Sequence, residues 1–594
     1  MIPFVRRRAR IATADALPLA FSWLVLAVVI FLLAFVLYMT FVPSLPTEPG
    51  FTLRHWSNVA SSRLLTKVVP NTVIVGFGTI CIAAFFALPL AWLLNRTTLP
   101  LRTTFTTMIG IVPVIPGFIL AMGWIMLLDE RIGLINNVAA NLLGLSSLPL
   151  GVKDTPWGMA WVLGLVLTPP IFFLVAGPLC RIDPSLEEVA GVIGMKQLTT
   201  LRRVTLPLVW PGILGGLIYT FMTAVSIFEI PALLGAASGK VPVLASEIFY
   251  SVRPGGPLTA TFAYGAAGVY GTLLAVPSLV GLYFYLRVLE RTERYQVITG
   301  KGYRPRETDL GPLNWIGIGF VISYLVLAVA LPLLVLLWAS LMPVLQLPSR
   351  EALSKLSFIN YDSLLEGLGG IAVIWNTVVL VLCVSLLVSF FSFMVSWVVV
   401  RTRIRSRKLI DMLVMVPHAI PSLAFAFALA MLGILASRWL AWLPLSGTIG
   451  IIVIAHIINR MPYGTRVMNS ALGQVHHELE EIAQVCGTKT PTVMRRIILP
   501  LVKPSVVYLA VWTAMLSFQE VTMALFLSGP QNHVLAVSIW ELWESGSLGT
   551  AAAGAVAMVA TMSALMFAIL SVARGPTAGL VGRGVAEPPV AEEP

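Results

Sequence analysis

The chain has 594 residues, 58% hydrophobic and 11% charged, with a net charge of +12. Soluble domains carry about 25% charged residues, so an ordinary water-soluble globule is excluded. Leu17 to Val42 contains no charged residue, longer than the about 20 apolar residues needed to cross a bilayer core. The composition predicts an all-α polytopic membrane protein.

Twelve spans are expected, at roughly 17–42, 70–94, 107–128, 157–180, 212–237, 262–286, 314–343, 372–400, 410–436, 447–465, 505–528 and 549–573. With the Arg6-Arg7-Arg8 end placed in the cytoplasm, 29 of the 39 Lys and Arg fall on that side or at helix ends facing it. That bias is the positive-inside rule, so the basic excess reports orientation and not nucleic acid. Both termini are predicted cytoplasmic. The first apolar run exceeds a signal-peptide core and lacks a small-x-small cleavage site, which makes it a retained helix.

Asn71-Thr72-Val73 opens the second span, and Arg96 closes it. Between the fourth and fifth spans lies a polar segment: Glu188-Val189-Ala190, Gly194 four residues after the alanine, then Leu206-Pro207. Asp183-Pro184 supplies a helix start, as N-cap and first helical residue. Gly194 suits a left-handed helix end, and a second short helix is expected to stop at Pro207. In the fifth span Glu229 lies in the outer half, two residues before Pro231. Lining an outer gate is one reading. The other is a helix break whose freed backbone donors the carboxylate satisfies.

The second half repeats this order. Asn376-Thr377-Val378 and Arg401 follow their first-half mates by 305 positions; Glu481, Ala483, Gly487, Leu499 and Pro500 follow theirs by 293; Glu520 follows Glu229 by 291. Val243-Leu244-Ala245 recurs as Val534-Leu535-Ala536. Each half therefore has six spans, and an even number of crossings makes the halves parallel repeats. The domains are expected at 1–300 and 301–574, followed by a disordered tail at 575–594 rich in Gly, Pro and Glu.

Other polar groups are ambiguous from sequence. Asn71 and Asn376 suit helix capping or substrate contact. His418 and His456 suit core hydrogen bonding, or a metal or proton role. Arg460 is expected to snorkel to the cytoplasmic interface. Glu520 has no nearby proline, so a break is expected in the first half only. The four cysteines match no metal spacing, and no metal site is predicted.

The duplicated Glu-x-Ala, Gly and Leu-Pro pattern resembles the EAA signature of the membrane subunits of ATP-binding-cassette importers. The resemblance covers nearly the whole chain. The fused form opening its second span with Asn-Thr-Val is most similar to the ferric-iron permeases; permeases for 2-aminoethylphosphonate, polyamines, thiamine and sulfate are close. The resemblance implies the type I importer permease fold in a bacterial inner membrane. It implies two copies of a cytoplasmic ATPase gripping Glu188, Ala190, Gly194, Leu206, Pro207 and their mates Glu481, Ala483, Gly487, Leu499, Pro500 as coupling elements. It also implies an extracytoplasmic substrate-binding protein. Glu229, Glu520, Asn71 and Asn376 are the candidates for the translocation path or gate. No Gly-x-x-x-x-Gly-Lys-Ser/Thr loop occurs, so ATP and Mg are expected on the partner and no cofactor or catalytic residue on this chain. A major-facilitator transporter is the rival reading. The Arg96–Thr104 loop lacks the carboxylate it needs, and it leaves the twin signatures unexplained.

Overall fold

The computed structural model describes residues 16–43, 50–62, 65–129, 133–143, 151–182, 186, 189–190, 192–195, 197–236, 239–252, 264–294, 308–402, 404–419, 421–439 and 445–573. The expected tail at 575–594, Glu188 and the Asp183-Pro184 helix start lie outside these residues. The described residues are helical, without a strand.

Eight helices are long and apolar enough to cross a membrane, and ten crossings result if two bent pairs count as one each. The remaining two of the expected twelve are the shorter Ser422–Trp439 helix and Ile449–Gly473. The latter carries Asn459, Arg460 and Arg466, which lower its apolarity. The third span is not a straight crossing: Arg102–Val114 and Gly117–Leu128 meet at 95°. Pro113 and Pro116 stand at that corner, where missing backbone donors prevent a continuous helix. The fourth bends by 44° between Val166 and Thr168, ahead of Pro169-Pro170.

The two halves interlock. The first helix, Ala16–Met39, packs on Ile371–Ser396 and Ser422–Trp439 of the second half. Reciprocally, Leu331–Ser340 of the seventh span packs on Gly117–Leu128 of the first half. At that contact a Cβ on Gly123 would fall 2.6 Å from the Pro332 carbonyl oxygen, so only glycine allows the helices to approach so closely. The Tyr324 hydroxyl donates to the Leu165 carbonyl at 3.1 Å across the same seam. The junction between halves is tied down as well. Thr308 N–H donates to the Arg96 carbonyl at 2.8 Å, and Thr98 N–H to the Thr308 carbonyl at 3.2 Å.

Candidate functional site

Both signature segments end in the same cap. The Met195 N–H donates to the Ala190 carbonyl and the Thr488 N–H to the Ala483 carbonyl, each at 3.0 Å. Between them Gly194 has φ +83° and Gly487 φ +76°. This is the Schellman arrangement, in which the residue after the left-handed glycine closes the last turn. It accounts for the spacing: the alanine must stand four residues before the glycine. Ala190 and Ala483 are buried, whereas Val192 is 88% and Val485 89% exposed, with Ile193 and Ile482 also outward. Glu481 is exposed, and its neighbour Glu480 turns inward. Each segment thus presents an apolar ridge that no described residue of this chain covers.

Pro207 and Pro500 do not end a helix as expected. Leu201–Ser226 and Thr490–Phe518 run on as single helices, because a π turn precedes each proline, at Leu201–Thr205 and Met494–Ile498. The wider turn absorbs the missing donor. Leu206 and Leu499 start the spans proper, and both are exposed.

At the opposite ends of the spans the repeated Asn-Thr pair has a job that sequence reasoning missed. Asn71 and Asn376 lie inside their helices, which begin at Leu65 and Ile371, so neither can cap its own helix. Asn71 donates to the Pro242 carbonyl at 3.1 Å, and Asn376 to those of His533 at 3.1 Å and Gln531 at 3.2 Å. The Thr72 hydroxyl accepts from Leu244 N–H at 3.0 Å, and Thr377 from Leu535 N–H at 2.8 Å. Those N–H groups open the short helices Leu244–Tyr250 and Leu535–Glu544, whose own N-cap residues are valines. The second and eighth spans therefore cap the short outer helices from outside. The recurrence of Val-Leu-Ala is the other side of this contact.

The fifth and eleventh spans both break. One helix stops at Ser226 and a new turn begins at Glu229; the other stops at Phe518 and resumes at Thr522. The expectation of a break in the first half alone is corrected. No proline is needed at Glu520, because its carboxylate accepts from Met523 N–H at 2.8 Å and Ala524 N–H at 3.4 Å. Glu229 instead crosses to the other half, accepting from the Thr522 hydroxyl at 2.8 Å.

Two basic side chains complete this cluster, both from the tenth span. His456, fully buried, places Nε2 3.2 Å from Glu520. Arg460 donates to the Leu516 carbonyl at 3.0 Å. Arg460 does not snorkel. It sits mid-way along Ile449–Gly473, where an orphan helix-end carbonyl holds it. The side chain of His418 lies outside the described residues.

Beside the cluster, aromatic rings from both halves meet. Phe118 stands 6.4 Å and Phe228 6.0 Å from Trp540, and Phe249 stands 6.0 Å from Phe526, ring centre to ring centre. Phe118, Phe228, Phe249 and Trp540 are buried. Phe249 and Trp540 are repeat mates, carried by the two short outer helices. No group of three or more His, Cys, Asp or Glu able to hold a metal ion occurs among the described residues.

Residues 80–295 and 389–574, more than half of the chain, match the family described as binding-protein-dependent transport system inner membrane component. The chain belongs to that family. Two matches, one per half, agree with the duplication. The permease is 25% identical over 560 residues to the ferric transport system permease protein FbpB of Actinobacillus pleuropneumoniae, covering 91% of this chain and 77% of that one. It is 22% identical to the Fe(3+)-transport system permease protein FbpB 2 of Haemophilus influenzae, covering 87% and 92%. A protein of Salmonella typhimurium named for 2-aminoethylphosphonate transport, PhnV, is 26% identical over 204 residues, 34% of this chain and 75% of that one. A solved bacterial ABC transporter involved in the import of alginate aligns at a TM-score of 0.35 and 19% identity, over 44% of this chain and 88% of that chain. The permease is thus a multi-pass inner-membrane subunit of an ABC importer, a class that works with an ATPase and a substrate-binding protein.

Proposed function

We propose that this permease forms the path of a ferric-iron importer and is driven by two copies of a cytoplasmic ATPase. The observation that carries this reading is the pair of identically capped signature helices, each with a bare apolar ridge. Exposed apolar surface of this kind marks a docking site, and two equivalent ridges suit two equivalent motors. Ala190 and Ala483 anchor the helices to the body. Glu188 and Glu481, with Gly194 and Gly487, set the surface the motors grip, and Leu206-Pro207 and Leu499-Pro500 lead from it into the spans. The distribution of Lys and Arg supports a cytoplasmic location for both ridges and both termini.

On the outer side a binding protein delivers the substrate, and the joined aromatic rings close the path between the halves. Glu229 and Glu520, beneath the rings and bridged across the seam through Thr522, form the gate. Asn71 and Asn376 act by holding the short helices that carry Phe249 and Trp540. Ferric iron is supported by relatives so named that align along most of the chain. The second reading, 2-aminoethylphosphonate, rests on a match to about a third of it. In this reading iron passes as cargo.

Reconstitution with a cognate ATPase and binding protein tests the whole. Hydrolysis should depend on the added ATPase and rise when the binding protein holds ferric iron. Stimulation by binding protein loaded with 2-aminoethylphosphonate instead would select the second reading, and uptake without any ATPase would reject both.

A further inference from the structure

Among the described helices long enough to cross a membrane, Ile371–Arg401 is the one with neither glycine nor proline. Sharp helix kinks arise almost always at such residues or at inserted turns, so Ile371–Ser396 of this eighth span is a stiff rod of 26 residues, about 39 Å long at 1.5 Å per residue, followed by a π turn at Trp397–Arg401. Its repeat mate Leu65–Arg96 contains Pro70 and Pro89. The outer end of the rod holds the helix bearing Trp540, through Asn376 and Thr377. The π turn at its inner end closes with Arg401, whose side chain is almost fully buried.

Arg401 grips the segment leading into the second signature helix. One guanidinium nitrogen donates to the carbonyls of Leu472 at 2.7 Å and Val475 at 2.8 Å. The other lies 3.1 Å from Glu480 and 3.0 Å from His477 Nδ1. Arginine has donors only, so in this contact the guanidinium donates to the imidazole nitrogen. The rigid planar fork ties four points at once, which a lysine cannot reproduce.

We infer that Arg401 is the joint that passes displacement of the Glu478–Val485 helix into the eighth span, and that this span carries it to the aromatic closure through Trp540. Arg401 is a positioning residue and touches no substrate. The inference rests on the importer reading and adds to it a route of force through the second half.

The test uses the complete transporter, permease with its ATPase and binding protein, in lipid nanodiscs. Cys81, Cys180, Cys383 and Cys486 are replaced by alanine, and Ser538→Cys serves as reporter in the buried helix beside Trp540. Reaction of that thiol with a membrane-impermeant maleimide is followed with and without ATP and vanadate. The parent should label about tenfold faster or more when trapped, a coupling of at least about 1.4 kcal/mol. Arg401→Gln should keep the ATPase bound and basal hydrolysis within about twofold, yet lose that acceleration, and Arg401→Lys should restore it only in part. Glu480→Gln, which leaves the two carbonyl contacts intact, repeats the test if Arg401→Gln does not insert. Acceleration undiminished in these variants would overturn the inference, as would loss of ATPase binding, which would mark Arg401 as part of the docking surface alone. A parent that fails to accelerate would reject the importer reading itself, a separate outcome.

Discussion

Gly194 and Gly487 show how little a residue must do to be indispensable. A Cβ at either would meet open space, so size is not the constraint. The backbone is: a β-branched side chain at these positive φ angles costs roughly 1–2 kcal/mol each and would unwind the last turn. Gly194→Val/Gly487→Val should leave the permease inserted but reduce ATPase co-purification by at least about tenfold, a change of roughly 1.4 kcal/mol in affinity. Full retention of an active ATPase would show the caps to be dispensable. For the carboxylates, Glu229→Gln/Glu520→Gln keeps the shape of the cluster and removes its charge. Transport should fall severalfold with assembly intact, and an unchanged rate would withdraw them from the gate. Residues of the first kind were legible in the sequence, because the Ala-to-Gly spacing is itself the geometry of a cap. The partner of His456 and the deep placement of Arg460 were not. The first-half equivalents of these two residues are Leu163 and Leu167, so no repeat flagged them, and Glu520, the partner of His456, arrives from another span.

At the scale of elements, the repeated Asn-Thr pairs link long helices to short ones. Asn376→Ala/Thr377→Val removes the clamp on the Trp540 helix and leaves its first N–H unsatisfied, at a cost of about 1–3 kcal/mol. The closure should then leak: the permease alone in vesicles should pass small solutes that the parent excludes, with its helical content unchanged. An equally tight variant would show that packing alone holds the closure. The duplication made the pairing of Asn-Thr-Val with Val-Leu-Ala visible before its meaning was. The π turns could not be read in advance, since a proline looks like a stop until an extra residue in the preceding turn accommodates it. The break after Phe518 was hidden for the opposite reason. A glutamate supplies the acceptor there, and no proline announces it. The aromatic closure was equally hidden, because phenylalanines are scattered along nearly every span and only tertiary packing selects the few that meet.

For the molecule as a whole, the duplication predicted two six-span blocks and their parallel relation, but not that each lends its first helix to the other. Ala16–Met39 lies against the second half and the seventh span against the first. This exchange predicts that the halves stay together without a covalent joint. Residues 1–300 and 301–594 expressed as two chains should co-purify through a tag on either, and Gly123→Leu, which forces a side chain into the Pro332 backbone, should separate them. Recovery of each half alone, without that substitution, would contradict the interlocked packing.

The placement of His456 and Arg460 on one half only bears on why the halves share a polypeptide. In a homodimer any cation near the dyad meets its own copy, and two guanidinium groups would repel beside two carboxylates. Joining the genes frees one lobe to specialise in positive charge while the other keeps leucine. Symmetric motors can then work a lopsided lock, an arrangement open to this chain and closed to a permease assembled from identical subunits.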